Sequence, residues 1–379
     1  MMTLLERGLI FDAANASSAQ RSNAFTSLTA TADGSYLAAF RSAAGRDEPG
    51  GRLRIMKSPD GSAWSTAHKG LTHEVDGVTG DLYSGYFTQL SPEEVTGAFV
   101  WVDRSDPERS FVHPETAGIL PTRNLLARST DLGASWTDWQ ELDLGPEQGC
   151  TVTGPILRIS DGVLGLPYET WKSYEDPSPG HHTASLRISR DGGRSWGERR
   201  IVADDSRSSI FYWDQRIAVH EETGEAVAMF WTHDRGRGTD VNNTLAWASS
   251  ADQDWSIPAN CGWPGQHCQP LWLGGNRLLA VHVRRGERGG IVARLSEDFG
   301  RTWSQDAVLQ IYEHPVGASK PSRSFEQFWQ EMMTWQFGHP RAVRTPEGDA
   351  LVAWYAGDDS ATSMHWARIA FDADRKGEP

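Results

Sequence analysis

Four side chains in this sequence are of types that transfer protons or attack an electrophilic carbon. Asp47 lies in a segment rich in Gly and Pro, Glu169 follows Tyr168 directly, and Tyr212 and Asp214 stand two residues apart. A general acid and base, usually a pair of carboxylates, cleave a glycosidic bond, and a tyrosine can replace one of them as nucleophile. A charge at the end of a buried strand costs desolvation energy, which makes Glu169 the clearest signal. We predict these four residues as catalytic candidates.

A second set of side chains is suited to binding a polar or acidic sugar. Arginine holds a carboxylate through two parallel hydrogen bonds, and aromatic faces stack on sugar rings. The predicted substrate-binding residues are Arg21, Arg41, Trp213, Arg216, His267, Arg284, His339 and Arg341.

Each candidate also has a structural interpretation that the sequence leaves open. Asp214 and Arg216 can form an ion pair between neighbouring sheets, and Asp47 can belong to a solvated run of charges. His181 and His182 lie in a loop rich in Pro and Gly, which favours solvation over ligation. We predict neither a metal site nor a cofactor.

The element that must position these residues is a short motif written five times. Its pattern is Ser-x-Asp-x-Gly-x-Ser/Thr-Trp, and its copies begin at Ser58, Ser129, Ser189, Ser250 and Ser296, with the first copy one residue short and the fourth lacking its Gly. Asp accepts hydrogen bonds from nearby backbone N–H groups, Gly adopts positive φ, and Trp buries a large ring beside the turn. Repetition of a turn motif indicates a repeat architecture.

The segments around the motifs predict strands. Phe25–Thr31, Ser35–Phe40 and Arg52–Lys57 precede the first motif, and Asp33-Gly34 marks the turn between the first two. Phe325–Trp335 is the one segment that fits a short helix. Five motifs and a sixth unit without one leave room for four strands per unit. We predict an all-β, six-bladed β-propeller that spans residues 1–379 as a single domain, with Leu4–Phe11 closing the last blade.

The order of strands predicts which face binds the ligand. In a four-stranded meander, the motif turns between strands three and four lie on one face, and the loops between strands two and three lie on the other. The long irregular segments, which are the usual carriers of binding sites, all fall on this second face. They cover residues 103–122, 170–183, 233–242 and 311–338.

The motifs resemble the Asp-box repeats of the sialidase (neuraminidase) superfamily, whose catalytic members are six-bladed propellers. The resemblance covers nearly the whole chain and implies an exo-acting glycoside hydrolase. It places Asp47 in the loop that holds the family's acid/base aspartate, and makes Arg216, Arg284 or Arg285, and Arg341 positional candidates for the carboxylate-binding arginines. Asp-box propellers also occur in sortilin-like receptors and photosystem assembly factors, so the motif is specific for fold.

The sequence departs from the family pattern at two places. The Phe-Arg-Ile-Pro-like motif that opens blade one is absent near Asn23-Ala24-Phe25, where Arg21 is close but not matched. The strand that opens blade six, Phe337–Arg341, has no nucleophilic Tyr. Leu164–Glu169 resembles the family's Leu-Tyr-Glu strand end, but in blade three.

Composition narrows the possible partners. The formal net charge is −14 with no basic run, which disfavours nucleic acid and anionic membranes and leaves a carbohydrate as the expected partner. No secretory leader and no membrane-spanning run is visible, so a cytoplasmic location is expected unless a signal was trimmed. Cys150, Cys261 and Cys268 are expected to be free buried thiols, although Cys261 and Cys268 can pair in an oxidising compartment.

Three functions remain open at this stage. The first is an exo-glycosidase in which Asp47 protonates the leaving oxygen, Arg41, Arg216 and Arg341 hold the sugar, and Glu169, Asp214 or Tyr212 acts as nucleophile, base or helper. The second is a polysaccharide lyase that relies on His339, His267 and Tyr212. The third is a propeller that binds glycans without turnover.

Overall fold

The computed structural model describes residues 1–145, 149–286, 288–304, 307–315 and 325–371. Six antiparallel sheets, each of four or five strands, account for most of this chain. They are the blades of a six-bladed β-propeller, which confirms the predicted fold class.

Blades one and two follow the N-terminal strand. The chain begins with β1 (Met2–Phe11) and a 3-10 turn at Ser18–Gln20. Blade one contains β2 (Ser22–Ala30), β3 (Tyr36–Ala43), β4 (Arg52–Ser58) and β5 (Ser65–Leu71). A small hairpin of β6 (Glu74–Val75) and β7 (Val78–Thr79) leads to blade two, which contains β8 (Asp81–Ser91), β9 (Glu94–Val102), β10 (Thr122–Ser129) and β11 (Thr137–Leu142).

Blades three and four each have one additional short strand. Blade three contains β12 (Thr151–Val152), β13 (Leu157–Ser160), β14 (Val163–Thr170), β15 (Thr183–Ser189) and β16 (Glu198–Asp204). Blade four contains β17 (Ile210–Val219), β18 (Ala226–Asp234), β19 (Thr239–Asp240), β20 (Asn242–Ala248) and β21 (Ala259–Pro264).

Blades five and six are joined by the long segment that contains the helix. Blade five contains β22 (Cys268–Gly274), β23 (Arg277–Arg284), β24 (Gly290–Ser296) and β25 (Val308–Glu313). The helix α1 (Phe325–Met332) precedes β26 (Phe337–Arg344), β27 (Ala350–Gly357) and β28 (Thr362–Phe371). The predicted long segment 311–338 is described at 311–315 and 325–338; the remainder lies outside the described residues.

The two ends of the described chain meet in blade six. Strand β1 pairs antiparallel with β28, from Met2 opposite Phe371 to Phe11 opposite Met364. The sheet order is therefore β1-β28-β27-β26, with the N-terminal strand at the outer edge. This pairing joins the first strand of the chain to the last blade and closes the ring.

The hydrophobic core lies between adjacent blades. Strands present alternate side chains to the two faces of each sheet, so each blade packs against both neighbours. Leu279 and Val281 of blade five, for example, pack with Val352 and Trp354 of blade six. The packing between neighbouring blades thereby stabilises the ring.

The repeated motifs form the turns between the third and fourth strands of the blades. Ser129, at the end of β10, accepts a hydrogen bond from the N–H of Gly133 at 2.8 Å, and Asp131 accepts one from the N–H of Ser135 at 2.8 Å. Gly133 has φ +82°, and the residue before it, Leu132, has φ +55°. Local hydrogen bonds thus hold a left-handed turn that glycine adopts without steric cost.

The predicted strands of blade one agree with β2, β3 and β4 to within three residues at each end. The predicted helix is shorter than expected, since it ends at Met332 and the following residues turn back into blade six. No helix of the described chain has both the length and the apolar character needed to cross a membrane.

Candidate active site

A cavity of about 170 Å³ lies on the propeller face opposite the motif turns, where all six blades and the helical segment contribute to its wall. Much of the wall is aromatic. The aromatic side chains are Phe25, Tyr83, Tyr86, Phe111, Trp213, Trp231, Trp329 and Trp335. The polar side chains with ionisable groups are Arg46, Glu169, Asp214, His267 and His339. This composition, with few convergent polar groups among apolar walls, is typical of a small-molecule site.

Three of the innermost strands carry the same irregularity where they reach the cavity. In β2, β17 and β26, one extra residue is inserted relative to the neighbouring strand, which defines a β-bulge. The inserted residues include Phe25 (φ +59°), Asp214 (φ +51°) and His339 (φ +48°), and all three side chains line the cavity. Positive φ is costly for side chains of this size and clusters at functional sites. The bulges therefore make these three positions candidates for a functional role.

Asp214 is the centre of a buried polar cluster. Its Oδ2 lies 2.7 Å from His267 Nε2, and its Oδ1 lies 3.2 Å from Arg216 Nη2. Burial opposes ionisation of Asp214, but His267 and Arg216 outweigh it and hold the pKa of this carboxyl well below its usual value. Burial lowers the pKa of both His267 and His339, whose rings lie 4.0 Å apart between centroids. The cluster thus places one carboxylate beside two imidazoles whose burial disfavours protonation.

Among the described residues, this cluster has the side-chain types and the spacing that a metal site requires. One ligand atom from each of Asp214, His267 and His339 lies within 4.8 Å of the other two. The sequence offered no such signal, because 125 residues separate Asp214 from His339.

Glu169 supplies the second carboxylate of the cavity. It stands near the end of β14, opposite Thr151 in the sheet, and its side chain is 12% exposed. Oε1 accepts a hydrogen bond from the N–H of Gln215 at 2.8 Å, and Oε2 lies 3.3 Å from His182 Nε2. The sequence-based expectation that this strand end points into the central pocket is met, although its predicted catalytic role stays a prediction.

Arg46 provides a cationic group on the opposite wall. Its guanidinium lies over Phe25 and Tyr355 at 5.2 and 5.1 Å from the ring centroids. Nη1 donates to the Tyr355 hydroxyl at 2.7 Å, and the buried Nε has no hydrogen-bond partner among the described residues. A stacked guanidinium with donors to spare is suited to binding an anionic ligand.

Two predicted arginines lie beside the cavity but are not among the residues that line it. Arg216 and Arg341 each stand two residues after a bulge residue, and both are buried. Arg341 donates to Thr26 O at 3.2 Å and Thr153 O at 3.0 Å. Burial lowers the pKa of Arg341 to about 9. Arg341 thus joins blade six to blades one and three, whereas Arg216 donates to Asp214 and to the Gln215 carbonyl of its own strand.

Two further predicted residues form a network that joins the loops of blades one and two. Arg41 pairs with Asp81 at 2.7 Å, with both side chains 2% exposed. Asp47 accepts from Arg104 Nη2 at 2.8 Å and from the N–H of Phe111 at 2.8 Å. Both oxygens of Asp47 are therefore engaged in holding the loop, and Asp47 is not among the residues that line the cavity.

Three predicted residues point away from the cavity, which corrects the placement expected for them. Tyr212 packs in the core between blades three and four, 5.5 Å from Phe230 between ring centroids, because strand alternation turns it away from its neighbours on β17. Arg21 is exposed at the end of the 3-10 turn. Arg284 donates to Arg288 O within the loop between β23 and β24, and it is not among the residues that line the cavity.

Of the twelve predicted site residues, the structure brings five to the cavity wall. They are Glu169, Trp213, Asp214, His267 and His339. Arg46 and the helical Trp329 were not among the predicted residues. Arg46 directly precedes the predicted Asp47, and the same Gly- and Pro-rich loop could have indicated it. No sequence pattern indicates that Trp329 of α1 lines the cavity, because the residues it faces there are distant in sequence.

Comparison with known proteins agrees with this architecture. The model of the BNR repeat-like domain family matches residues 34–352. No curated protein matches the sequence.

Solved structures share the fold at low sequence identity. A protein of unknown function from Dyadobacter fermentans has a TM-score of 0.72 and 18% identity over 98% of this chain and 99% of that chain. The Penicillium chrysogenum alpha-L-arabinanase in complex with arabinobiose has a TM-score of 0.64 and 14% identity, with 96% and 98% covered. The Trypanosoma rangeli sialidase in complex with DANA has a TM-score of 0.64 and 12% identity, with 97% of this chain and 60% of that chain covered.

These similarities show a propeller shared with sialidases and arabinanases. The family model extends over most of the sequence and includes four complete blades together with parts of the first and last. The chain belongs to the BNR repeat-like domain family.

Proposed function

We propose that this protein is an exo-acting glycoside hydrolase that binds one terminal, acidic or polyhydroxylated sugar in the central cavity. The observation that carries the proposal is the presence of two carboxylates, Glu169 and Asp214, in a cavity with aromatic walls. Two carboxyl groups that flank a bound sugar are the usual equipment of a glycosidase. The sialidase and arabinanase that share the fold support the same class of chemistry.

The environments of the two carboxylates assign them different roles. Asp214 is held by Arg216 and His267, so it serves as the base or nucleophile on one side of the sugar. Glu169 lies beside His182 and takes the role of proton donor to the leaving oxygen. This assignment replaces Asp47 as the donor, because Glu169 lines the cavity and Asp47 does not, its oxygens being held by Arg104 and the Phe111 N–H.

The size and charge of the cavity define the expected substrate. Its volume of about 170 Å³ is below the ~300–1,000 Å³ of sites for drug-sized ligands, which favours a single sugar residue and exo-cleavage. Tyr83, Trp213 and Trp335 provide faces for the ring, and Arg46 provides a partner for a carboxylate.

The experiment is a comparison of umbelliferyl glycosides that differ in charge. A sialoside and a glucuronide test the acidic sugars, and an α-L-arabinofuranoside tests a neutral one. Release of umbelliferone from an acidic glycoside, lost in Glu169→Gln, is the expected result. No release from any of the three would contradict the proposal.

One observation favours a second candidate function, a polysaccharide lyase. The Nδ1 atoms of His267 and His339 are buried without hydrogen-bond partners among the described residues, and a neutral imidazole is a suitable base for removing a proton beside a uronate carboxylate. A lyase would give an unsaturated product that absorbs in the near ultraviolet. Its appearance with a polyuronate, in the absence of umbelliferone release, would favour this second function.

A further inference from the structure

We propose that Asp214, His267 and His339 form a binding site for a divalent transition-metal ion on the wall of the central cavity. One oxygen of the carboxylate and one nitrogen of each imidazole lie within 4.8 Å of one another, close enough to converge on a single ion after small side-chain rotations. Two imidazoles and one carboxylate are a ligand set that proteins use for zinc and for other first-row divalent ions.

The burial of the imidazoles is an independent observation that points to a ligand. His267 is 4% exposed and His339 is 6% exposed. The Nδ1 atom of His339 is buried and has no hydrogen-bond partner among the described residues, and Nε2 of His267 faces Asp214 Oδ2 at 2.7 Å. A buried polar atom without a partner costs free energy, and an ion that accepts its lone pair removes that cost.

The backbone holds two of the three residues in place before any ion arrives. Asp214 and His339 are bulge residues with φ of +51° and +48°, on the innermost strands of blades four and six. His267 lies directly before β22 of blade five, between them in the ring. Three consecutive blades therefore direct one ligand each toward the same point, which is the preorganisation that a metal site needs.

The surroundings of Asp214 leave one oxygen for the ion. Arg216 Nη2 donates to Oδ1 at 3.2 Å and orients the carboxylate, as outer-shell partners do in metal sites. Oδ2, now 2.7 Å from His267 Nε2, is the oxygen that would exchange its contact with the imidazole for a bond to the ion. The positive charges of Arg216 and Arg46 repel a cation and weaken its binding. The negative charges of Asp214 and Glu169 attract the cation and offset this repulsion.

The metal alone tests the proposal, without any sugar. Isothermal titration of the full-length protein with Zn²⁺, after treatment with a chelator, should show one ion per chain. His339→Gln and Asp214→Asn should each weaken binding at least about tenfold, the lower end of the effect seen even for outer-shell partners. His181→Gln, which removes an exposed imidazole paired with Asp204, is the matched control and should bind as the parent does.

The absorption spectrum of the parent protein with Co²⁺ tests the site without any variant, so it remains informative if a variant does not fold. Co²⁺ bound to nitrogen and oxygen ligands gives visible d–d bands without a thiolate charge-transfer band in the near ultraviolet. A thiolate band would place the ion on Cys261 and Cys268 and overturn the proposal. Absence of one-to-one binding in the parent protein, or loss of binding only in His181→Gln, would overturn it as well.

The proposed site and the proposed glycosidase use Asp214 in different ways. An ion holds the carboxylate as a ligand, whereas hydrolysis needs it free, so Zn²⁺ should inhibit turnover and a chelator should restore it. Because the titration does not depend on turnover, a protein that binds Zn²⁺ and cleaves no glycoside would contradict the proposed function alone.

Discussion

The backbone N–H of Gln215 donates a 2.8 Å hydrogen bond to Glu169 Oε1, which fastens the strand end of blade three to the bulge of blade four. Since Gln215 follows Asp214 directly, this bond fixes the two cavity carboxylates relative to each other. The Gln215 side chain adds two buried bonds, to Tyr168 O at 2.7 Å and Ser185 O at 2.8 Å. The spacing of the carboxylates is thus set by sheets, which position a site more accurately than loops.

Removal of either carboxylate tests their proposed roles. Glu169→Gln and Asp214→Asn keep the shape of each side chain and remove its ability to exchange a proton or attack carbon. Each should lower kcat on the best glycoside by at least about 100-fold, the lower end of the effect of general acid–base catalysis. Glu175→Gln, in an exposed pair with Arg109, is the control. Activity within twofold of the parent in either cavity variant would remove that residue from the mechanism.

Arg46 should decide the preference for acidic sugars. Arg46→Met keeps the stacked apolar stem between Phe25 and Tyr355 and removes the donors. We expect kcat/KM for an acidic glycoside to fall about tenfold or more, the loss of one charge-assisted hydrogen bond, with little change for a neutral glycoside. Arg109→Met, whose exposed guanidinium lies over Tyr174, is the matched control. An equal loss of kcat/KM on the acidic and the neutral glycoside would show that Arg46 supports the structure of the site and does not select the charge of the sugar.

The fold could be predicted because its signal is local. The Asp, Gly and Ser of each motif act on one turn, so their spacing survives in the sequence, as Ser189, Asp191 and Gly193 show. The face that carries the cavity followed from the order of the strands. Predicting the fold and the position of the binding face requires no knowledge of contacts between residues of different blades.

The site could be predicted only in part because bulges change the direction of side chains. The extra residue at Asp214 breaks the alternation of β17, so Trp213 and Asp214, neighbours in sequence, both line the cavity while Tyr212 does not. Positive φ at an aspartate or histidine leaves no mark in the sequence. The opening strand of blade six shows the same effect. Its bulge at His339 shifts the following residues, which hinders residue-by-residue comparison with the superfamily pattern.

Arg341 should contribute strongly to stability. Its guanidinium is buried and joins Thr26 O of blade one to Thr153 O of blade three. Arg341→Met leaves these carbonyls without their donor, which should lower the free energy of unfolding by about 2–4 kcal/mol in urea titrations. Arg288→Ala breaks an exposed pair with Glu313 and should cost less than about 1 kcal/mol. If Arg341→Met lowered the free energy of unfolding as little as Arg288→Ala does, water would have replaced the hydrogen bonds of Arg341.

The motif turns should make the protein sensitive to acid. Hydrogen bonds from the N–H groups of Ala63 and Ser62 lower the pKa of Asp60 from 3.8 to about 2. A carboxyl whose pKa is lower in the folded state stabilises the fold above the unfolded pKa and loses that contribution as pH falls through the folded value. The contribution of Asp60 should therefore be complete above about pH 4 and disappear between about pH 4 and pH 2.

Thermal unfolding measured from pH 6 down to pH 2 checks this expectation. Asp60→Asn should have a lower Tm than the parent at pH 6, because its amide oxygen is a weaker acceptor for the same N–H groups. The difference between the two proteins should shrink as the pH approaches 2, where the parent carboxyl becomes protonated. Asp254→Asn, at a fully exposed carboxylate, should follow the parent curve throughout. A Tm difference between Asp60→Asn and the parent that stays constant over this range would show that the turn does not depend on the charge of Asp60.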